Sequence, residues 1–184
     1  TQSTYKLMPE QDTLFARILA AVPQARLHLL PHWQEDERER LRQRMAPAMR
    51  AHGADPDKQI VMHPLLGFED WLALAARCRL HLDSLHFSGG MTSFDLCAIG
   101  LPAITRPGPA MRSRQTAAMM QAMDLPELIA TDANDYVAKA VALATDPARC
   151  RALASTIRER STRLWNPDGV ATALNRYLLA PNDA

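Results

Sequence analysis

The sequence predicts an α/β fold in which a parallel β-sheet is covered by helices on both faces. Short apolar runs typical of buried strands alternate along the chain with longer segments whose apolar residues recur at helical spacing. Parallel strands need a crossover connection between them, and a helix is the usual one. The 184 residues have the length of one domain, so we expect a single domain over residues 1–184.

Local signals predict the elements of the first third. Pro9 opens a helix, because proline is tolerated in a first turn, and Pro23 ends it. Residues 25–30, ARLHLL, predict a buried strand. Residues 34–53 predict a polar helix with a solvated charged face, which Pro47 should kink or split.

The same alternation continues to the end of the chain. The predicted elements are, in order, strand 60–62, helix 69–78, strand 80–82, a helix from Thr92 or Ser93, strand 103–105, helix 111–123, a short strand at 128–129, helix 132–145 and the last helices over roughly 147–179. Ligands of such sheets bind in loops that follow the carboxyl ends of strands. We therefore expect three loops to share one edge, namely residues 63–68, 83–92 and 106–114.

Composition argues against several classes of protein. Hydrophobic residues make up 47% of the chain and charged residues 22%, which favours a packed core over disorder. A formal net charge of +1 argues against a nucleic-acid surface, and no apolar run approaches the ~20 residues that span a bilayer. Cys78, Cys97 and Cys150 lack metal-ligand spacing, so we expect reduced thiols in a cytosolic protein and no metal site.

Residues 86–107, HFSGGMTSFDLCAIGLPAITRP, form the strongest candidate site. A Gly-Gly pair breaks the chain after a strand, and Thr92 and Ser93 stand where a helix should begin. Backbone N–H groups of such a turn can bind a phosphate, and Asp95 in the first helical turn can accept hydrogen bonds from ribose hydroxyls. The same pattern serves any strand–turn–helix unit, so a nucleotide site and a purely structural turn are alternatives.

Other candidate residues also have two interpretations each. Lys6, one of only three lysines, could neutralise a phosphate or could be an ordinary surface residue. Phe68 could stack on a base or fill the core. Asp83 ends a predicted strand, where its carboxylate could be catalytic or could hold the turn.

A set of motifs occurs in order along the chain with compatible spacing. It comprises Tyr5-Lys6 followed by Pro9, Leu82-Asp83, a glycine turn followed by Asp95, Gly100-x-Pro102, Pro107-Gly108, Ser113-Arg114 and LPELIA from Leu125. This set resembles the donor-binding domain of the O-linked N-acetylglucosamine transferase (SPINDLY-like) family, glycosyltransferase family 41.

The resemblance implies a GT-B architecture, in which two Rossmann-like domains enclose a cleft and this chain is the carboxyl-terminal domain. A strand normally precedes the Tyr-Lys segment in the family, so we expect a fragment of a larger protein. The expected partners are a nucleotide-sugar donor, a protein acceptor, an amino-terminal catalytic domain and helical repeats of the same protein. No cofactor is expected beyond the UDP-sugar donor, and the expected location is cytoplasmic.

The resemblance also implies roles for individual residues. Lys6 would contact the donor diphosphate and support departure of the leaving group, and Asp95 would bind the ribose. A backbone group of Leu66 would read the uracil, and Phe68 would pack on it. The expected nucleotide-sugar-binding set is Leu66, Phe68, Gly89, Gly90, Met91, Thr92, Ser93 and Asp95, with Lys6 as the catalytic residue.

The chain departs from the family pattern in the turn itself. The family usually has His-Thr-Thr where this chain has Gly90-Met91-Thr92, and Trp71 and Leu74 replace polar or basic donor contacts. The expected function is metal-independent, inverting transfer of GlcNAc or another hexose from a UDP-sugar to a protein side chain. The alternatives are a flagellin-type transferase that uses another nucleotide sugar, and a catalytically degenerate nucleotide-binding or scaffold domain.

Overall fold

A computed structural model describes residues 4–30, 35–165 and 167–179. Its α-helices are α1 (Pro9–Ala21), α2 (Glu35–Ala51), α3 (Pro56–Gln59), α4 (Phe68–Ala76), α5 (Met91–Ala98), α6 (Gln115–Ala122), α7 (Ala133–Thr145), α8 (Pro147–Arg160) and α9 (Pro167–Leu179). The strands are β1 (Leu27–Leu29), β2 (Ile60–Met62), β3 (His81–Leu82) and β4 (Ala103–Ile104). Short 3-10 turns lie at Thr4–Lys6, Met111–Ser113, Pro126–Leu128 and Ser161–Leu164.

Helix α2 is amphipathic. Leu41, Met45 and Met49 recur at helical spacing and are buried in a core that also holds Phe15 of α1. Pro47 lies inside α2 without splitting it, so the predicted split is wrong. The reason is tertiary, because the buried methionines on either side of the proline anchor both parts of the helix.

The strands form two parallel pairs. β1 pairs with β2 along its whole length, β3 pairs with β4, and Thr105 just beyond β4 forms a single parallel bridge with Ile129. The predicted parallel arrangement is therefore confirmed. The predicted strand at 128–129 is reduced to this bridge, because Pro126–Leu128 coil into a 3-10 turn.

A cavity of about 690 Å³ lies between β1 and β3. Its lining combines both strands with apolar side chains of α1 and α4, including Phe15, Leu19, Trp71 and Leu74. The backbone N–H and C=O groups of successive strand residues point to opposite edges of the strand. The N–H groups of His81 and Asp83 donate to carbonyls of residues 102 and 104, so those of Leu82 point away from β4. Within the described residues the two strand pairs are not joined into one sheet.

A second core packs the other side of β3 and β4. Ile104, Met120, Tyr136 and Ile157 are among its most deeply buried members and come from β4, α6, α7 and α8. Helix α7 begins where predicted, because the Asp132 carboxylate caps it by accepting hydrogen bonds from two backbone N–H groups. Across the described ranges, no helix is both long and apolar enough to span a membrane.

Candidate functional site

The Asp83 side chain fixes the segment that follows β3, residues 89–93, which we call the glycine turn. Its Oδ1 accepts a hydrogen bond from the Gly89 N–H at 2.8 Å, and its Oδ2 accepts one from the Thr105 hydroxyl at 2.8 Å. Burial raises the pKa of the Asp83 carboxyl to about 6, whereas the hydrogen bonds from Gly89, Thr105 and Thr116 lower it. Of the two interpretations of this carboxylate, the structure shows the one in which it holds the turn.

Helix α6 holds the same turn from its other side. The Thr116 hydroxyl donates to the Gly89 carbonyl at 3.3 Å and shares a hydrogen bond with the Ser93 hydroxyl at 3.0 Å. Ser88 accepts from the Thr116 N–H at 3.2 Å, and its own N–H donates to the Arg112 carbonyl at 2.9 Å. The loops after β3 and β4 therefore lie together, as predicted.

Helix α5 starts earlier than the sequence predicts. It begins at Met91 with Gly90 as its N-cap, because the Gly90 carbonyl already accepts a hydrogen bond from the Ser93 N–H at 2.9 Å. Thr92 and Ser93 therefore lie inside the first turn and cap nothing, and the Ser93 hydroxyl is buried. Asp95 consequently lies beyond the first turn, which corrects its predicted position.

The turn offers fewer free N–H groups than predicted, because the Gly89 N–H is bonded to Asp83 and the Ser93 N–H to Gly90. Within the described ranges, the N–H groups of Gly90, Met91 and Thr92 donate no hydrogen bond. They are consecutive at the amino end of an eight-residue helix. Such groups, together with the helix dipole, attract an anion.

Lys6 reaches this turn from the start of the chain. Its Nζ donates to the Ser88 carbonyl at 3.3 Å and lies 4.2 Å from the centroid of the Phe87 ring, within cation–π range. The edge of the Tyr5 ring meets Phe87, with the centroids 6.3 Å apart. Sequence reasoning missed Phe87, whose only signal was an aromatic residue two positions before the glycine turn.

The residues predicted to read the base lie in the loop between β2 and α4. Phe68 opens α4 with 62% of its surface exposed and its ring 5.7 Å from that of Trp71, so Phe68 is not a core residue. Leu66 is half-buried. Among the residues that the structure describes, no hydrogen bond or ring contact joins residues 63–68 to the glycine turn. That residues 63–68 share one edge of the sheet with the loops after β3 and β4 therefore stays a prediction.

Asp95 projects from α5 as a half-buried residue. Its carboxylate forms no hydrogen bond or ion pair with the described part of the chain, which leaves both oxygens able to accept from a ligand. Its backbone carbonyl accepts from the Ile99 N–H and so continues the helix.

A buried polar network beneath the turn was not foreseen. The carbonyl of Asp83 accepts hydrogen bonds from Gln11 of α1 and from the Tyr136 hydroxyl of α7, both at 2.9 Å. His81 Nε2 lies 3.9 Å from Asp83 Oδ1, and burial lowers the pKa of His81 to about 3, so this ring is neutral at pH 7. The network ties two helices to the end of β3.

The metal-ligating side chains that the structure describes do not converge. Within the described residues, no group of three or more histidine, cysteine or acidic side chains could hold an ion. Burial raises the pKa of the Cys97 thiol to about 12, which keeps that thiol protonated.

Comparison with known sequences places the chain among glycosyltransferases. Residues 2–167 match the family model of glycosyl transferase family 41. The chain is 24% identical over 170 residues to a probable UDP-N-acetylglucosamine–peptide N-acetylglucosaminyltransferase SPINDLY of Solanum lycopersicum, covering 92% of this chain and 18% of that protein. It is 30% identical over 142 residues to a UDP-N-acetylglucosamine–peptide N-acetylglucosaminyltransferase of Caenorhabditis elegans, covering 77% and 12%. The chain thus spans less than a fifth of these curated relatives.

Solved structures agree on the fold. A mutant O-GlcNAc transferase of Thermobaculum terrenum superposes with a TM-score of 0.77 and 26% identity, over 85% of this chain and 30% of that one. Sucrose-phosphate synthase of Thermosynechococcus elongatus has a TM-score of 0.63 and 17% identity, over 91% and 41%, and is similar in fold alone. Both neighbours are GT-B glycosyltransferases, which confirms the predicted fold class.

Proposed function

The chain belongs to glycosyltransferase family 41, and we propose that it is the donor-binding domain of a protein glycosyltransferase that uses a UDP-sugar. The observation that supports the proposal is the contact between the Lys6 ammonium and the Ser88 carbonyl, directly before the glycine turn. A cation from the start of the chain stands beside the amino end of α5, where three backbone N–H groups have no partner in the described part of the chain.

The diphosphate of the donor would bind at this point. The N–H groups of Gly90, Met91 and Thr92 would donate to its oxygens, and Lys6 would supply the positive charge. In the structure the Lys6 ammonium lies against the Ser88 carbonyl and the Phe87 ring, both weaker partners than a phosphate. A bound diphosphate would therefore attract the ammonium away from them.

The uridine part of the nucleotide would extend from one end of the diphosphate. Asp95 would accept hydrogen bonds from the ribose hydroxyls, because its carboxylate has no partner within the described residues. The exposed Phe68 ring would pack on the base, and a backbone group of Leu66 would read the edge of the uracil.

The transfer itself would be inverting and would need no metal. Negative charge develops on the departing diphosphate, and Lys6 with the N-terminal N–H groups of α5 would stabilise that charge. A base for the acceptor side chain would come from the amino-terminal catalytic domain of the full-length protein. Helical repeats of the same protein and a cytoplasmic location are part of the proposal as well.

Two other functions keep the same fold. Gly90 and Met91 alter the family turn, so a flagellin-type transferase with another nucleotide sugar is the first alternative. The second alternative is a nucleotide-binding or scaffold domain without catalysis. The open backbone N–H groups favour binding of some nucleoside diphosphate over a pure scaffold.

Calorimetric titration of the full-length protein with UDP, GDP and CMP tests the proposal. We expect UDP to bind most tightly, and Lys6→Ala to weaken it about 10- to 100-fold, as for a lost charge-assisted hydrogen bond. Asp95→Asn should weaken UDP about tenfold. Lys58→Ala is the matched control, because Lys58 is 84% exposed and pairs with Asp55 away from the turn. Selective CMP or GDP binding would favour the first alternative, and no nucleotide binding would refute both enzyme functions.

A further inference from the structure

The two glycines of the turn have no side chains to fix its shape, and the local hydrogen bond from the Ser93 N–H at 2.9 Å holds only the Gly90 carbonyl. Gly89 and Gly90 are adjacent, and glycine samples more backbone conformations than any other residue. The N-cap of α5 is Gly90, which has no side chain, so the helix lacks the capping hydrogen bond that serine or aspartate would supply. The direction of the N–H groups at this helix end must therefore be set from elsewhere.

Two buried side chains fix the Gly89 residue from both ends. The Asp83 carboxylate accepts a hydrogen bond from the Gly89 N–H at 2.8 Å, and the Thr116 hydroxyl donates one to the Gly89 carbonyl at 3.3 Å. The carbonyl of Gly89 belongs to the same peptide plane as the N–H of Gly90. Fixing that carbonyl thus fixes the first of the three N–H groups that face the proposed diphosphate.

The network continues beneath the turn. Thr105 donates to the second Asp83 oxygen at 2.8 Å, and Thr116 reaches the buried Ser93 hydroxyl at 3.0 Å inside the first turn of α5. Asp83 and Thr116 are both almost fully buried, so neither side chain can reach a ligand bound above the turn. Both act on the site through backbone and hydroxyl groups of the turn, among them Gly89 and Ser93.

The choice of a carboxylate at position 83 has an energetic cost. An ionised group is disfavoured in a buried site, and a neutral amide of nearly the same shape would not carry that cost. A carboxylate nevertheless accepts with both oxygens and gives shorter, stronger hydrogen bonds than an amide. The residue is therefore better suited to fixing the turn than to stabilising the fold.

We propose that Asp83 and Thr116 are positioning residues that orient the α5 N–H groups toward a diphosphate without touching the donor. This rests on the proposed function, because it concerns the same turn. Loss of either residue should weaken binding of the diphosphate but leave binding of the nucleoside part unchanged.

The test compares UDP with uridine on the full-length protein. In Asp83→Asn and Thr116→Val we expect affinity for UDP to fall about tenfold, as for lost hydrogen bonds, with uridine affinity unchanged. Thr116→Ser keeps the hydroxyl and should restore the ratio of UDP to uridine affinity. Asp132→Asn and Thr156→Val are matched controls, because these residues bond backbone at exposed sites on α7 and α8. Equal weakening of UDP and uridine would overturn the proposal.

Amide hydrogen exchange of the ligand-free protein separates this proposal from the proposed function. The hydrogen-bonded N–H groups of Gly89 and Ser93 should exchange at least about tenfold faster in Asp83→Asn and Thr116→Val, whereas α8 should be unchanged. Unchanged exchange at the turn would refute the positioning role whatever the nucleotide affinities are. Faster exchange at the turn in a protein that binds no UDP would leave the positioning role intact and refute the function proposed for the site.

Discussion

Replacement of Asp83 by asparagine should stabilise the fold at neutral pH while it impairs the site. Burial raises the pKa of this carboxyl from 3.8 to about 6. Each pKa unit corresponds to about 1.4 kcal/mol, so keeping the ionised carboxylate in the folded state costs about 3 kcal/mol. Asparagine has nearly the same shape and carries no charge, but its NH2 group cannot accept the hydrogen bond that one of the two Asp83 oxygens accepts.

The sign of the pH dependence follows from the two pKa values. Between pH 3.8 and about 6 the folded protein retains on Asp83 a proton that the unfolded chain has lost. The stability that depends on Asp83 therefore falls as the pH rises through this window and stays low above it. Burial lowers the pKa of His81 to about 3 and raises the pKa of Tyr136 well above its usual value, so neither side chain changes its charge in the folded protein between pH 4 and 8.

Urea unfolding followed by circular dichroism at pH values from 4 to 8 measures this difference. We expect Asp83→Asn to be close to wild type near pH 4 and more stable by about 1 to 3 kcal/mol at pH 8. Asp132→Asn should give a difference that stays near zero, because asparagine caps helices about as well as aspartate. A variant that is less stable than wild type at pH 8, with no change in the difference across the pH range, would refute the reasoning.

Two further predictions concern stability alone and use the same urea assay. Gly100→Ala should lower the free energy of unfolding by more than about 2 kcal/mol, because φ of Gly100 is +79° and the new Cβ would lie 2.5 Å from a backbone oxygen of α8. Gly53 has a similar φ of +83° but open space around it, so Gly53→Ala should lower the free energy of unfolding by about 1 kcal/mol. Equal losses would show that the contact with α8 is irrelevant. Arg44→Met should lower the free energy of unfolding by about 2 kcal/mol, because it leaves the buried Asp12 carboxylate without its bidentate partner. Arg42 pairs with the Asp57 carboxylate, which is 69% exposed, so Arg42→Met should lower the free energy of unfolding by about 0.5 kcal/mol or less. Similar losses in these two variants would contradict the role given to burial.

Local chemistry was enough to predict that most elements exist and where several of them begin or end. Pro9 and Pro23 bracket α1, residues 60–62 form β2 as predicted, and Asp132 caps α7. These features depend on residues within a turn or two of each other, where proline geometry, side-chain caps and apolar spacing act. The same local pattern indicated where the turn of the candidate site lies.

The sequence by itself determined the alternation of strands and helices, the glycine turn and the family to which the motifs belong. Only the tertiary structure decided which groups of that turn remain open to a ligand. Asp83 meets Thr105 across 22 residues, Lys6 meets Ser88 across 82, and Thr116 reaches back to Gly89 across 27. Hydrogen bonds over such separations depend on how strands and helices pack. No periodicity or spacing in the chain could therefore show that one glycine N–H is taken and the next three are open.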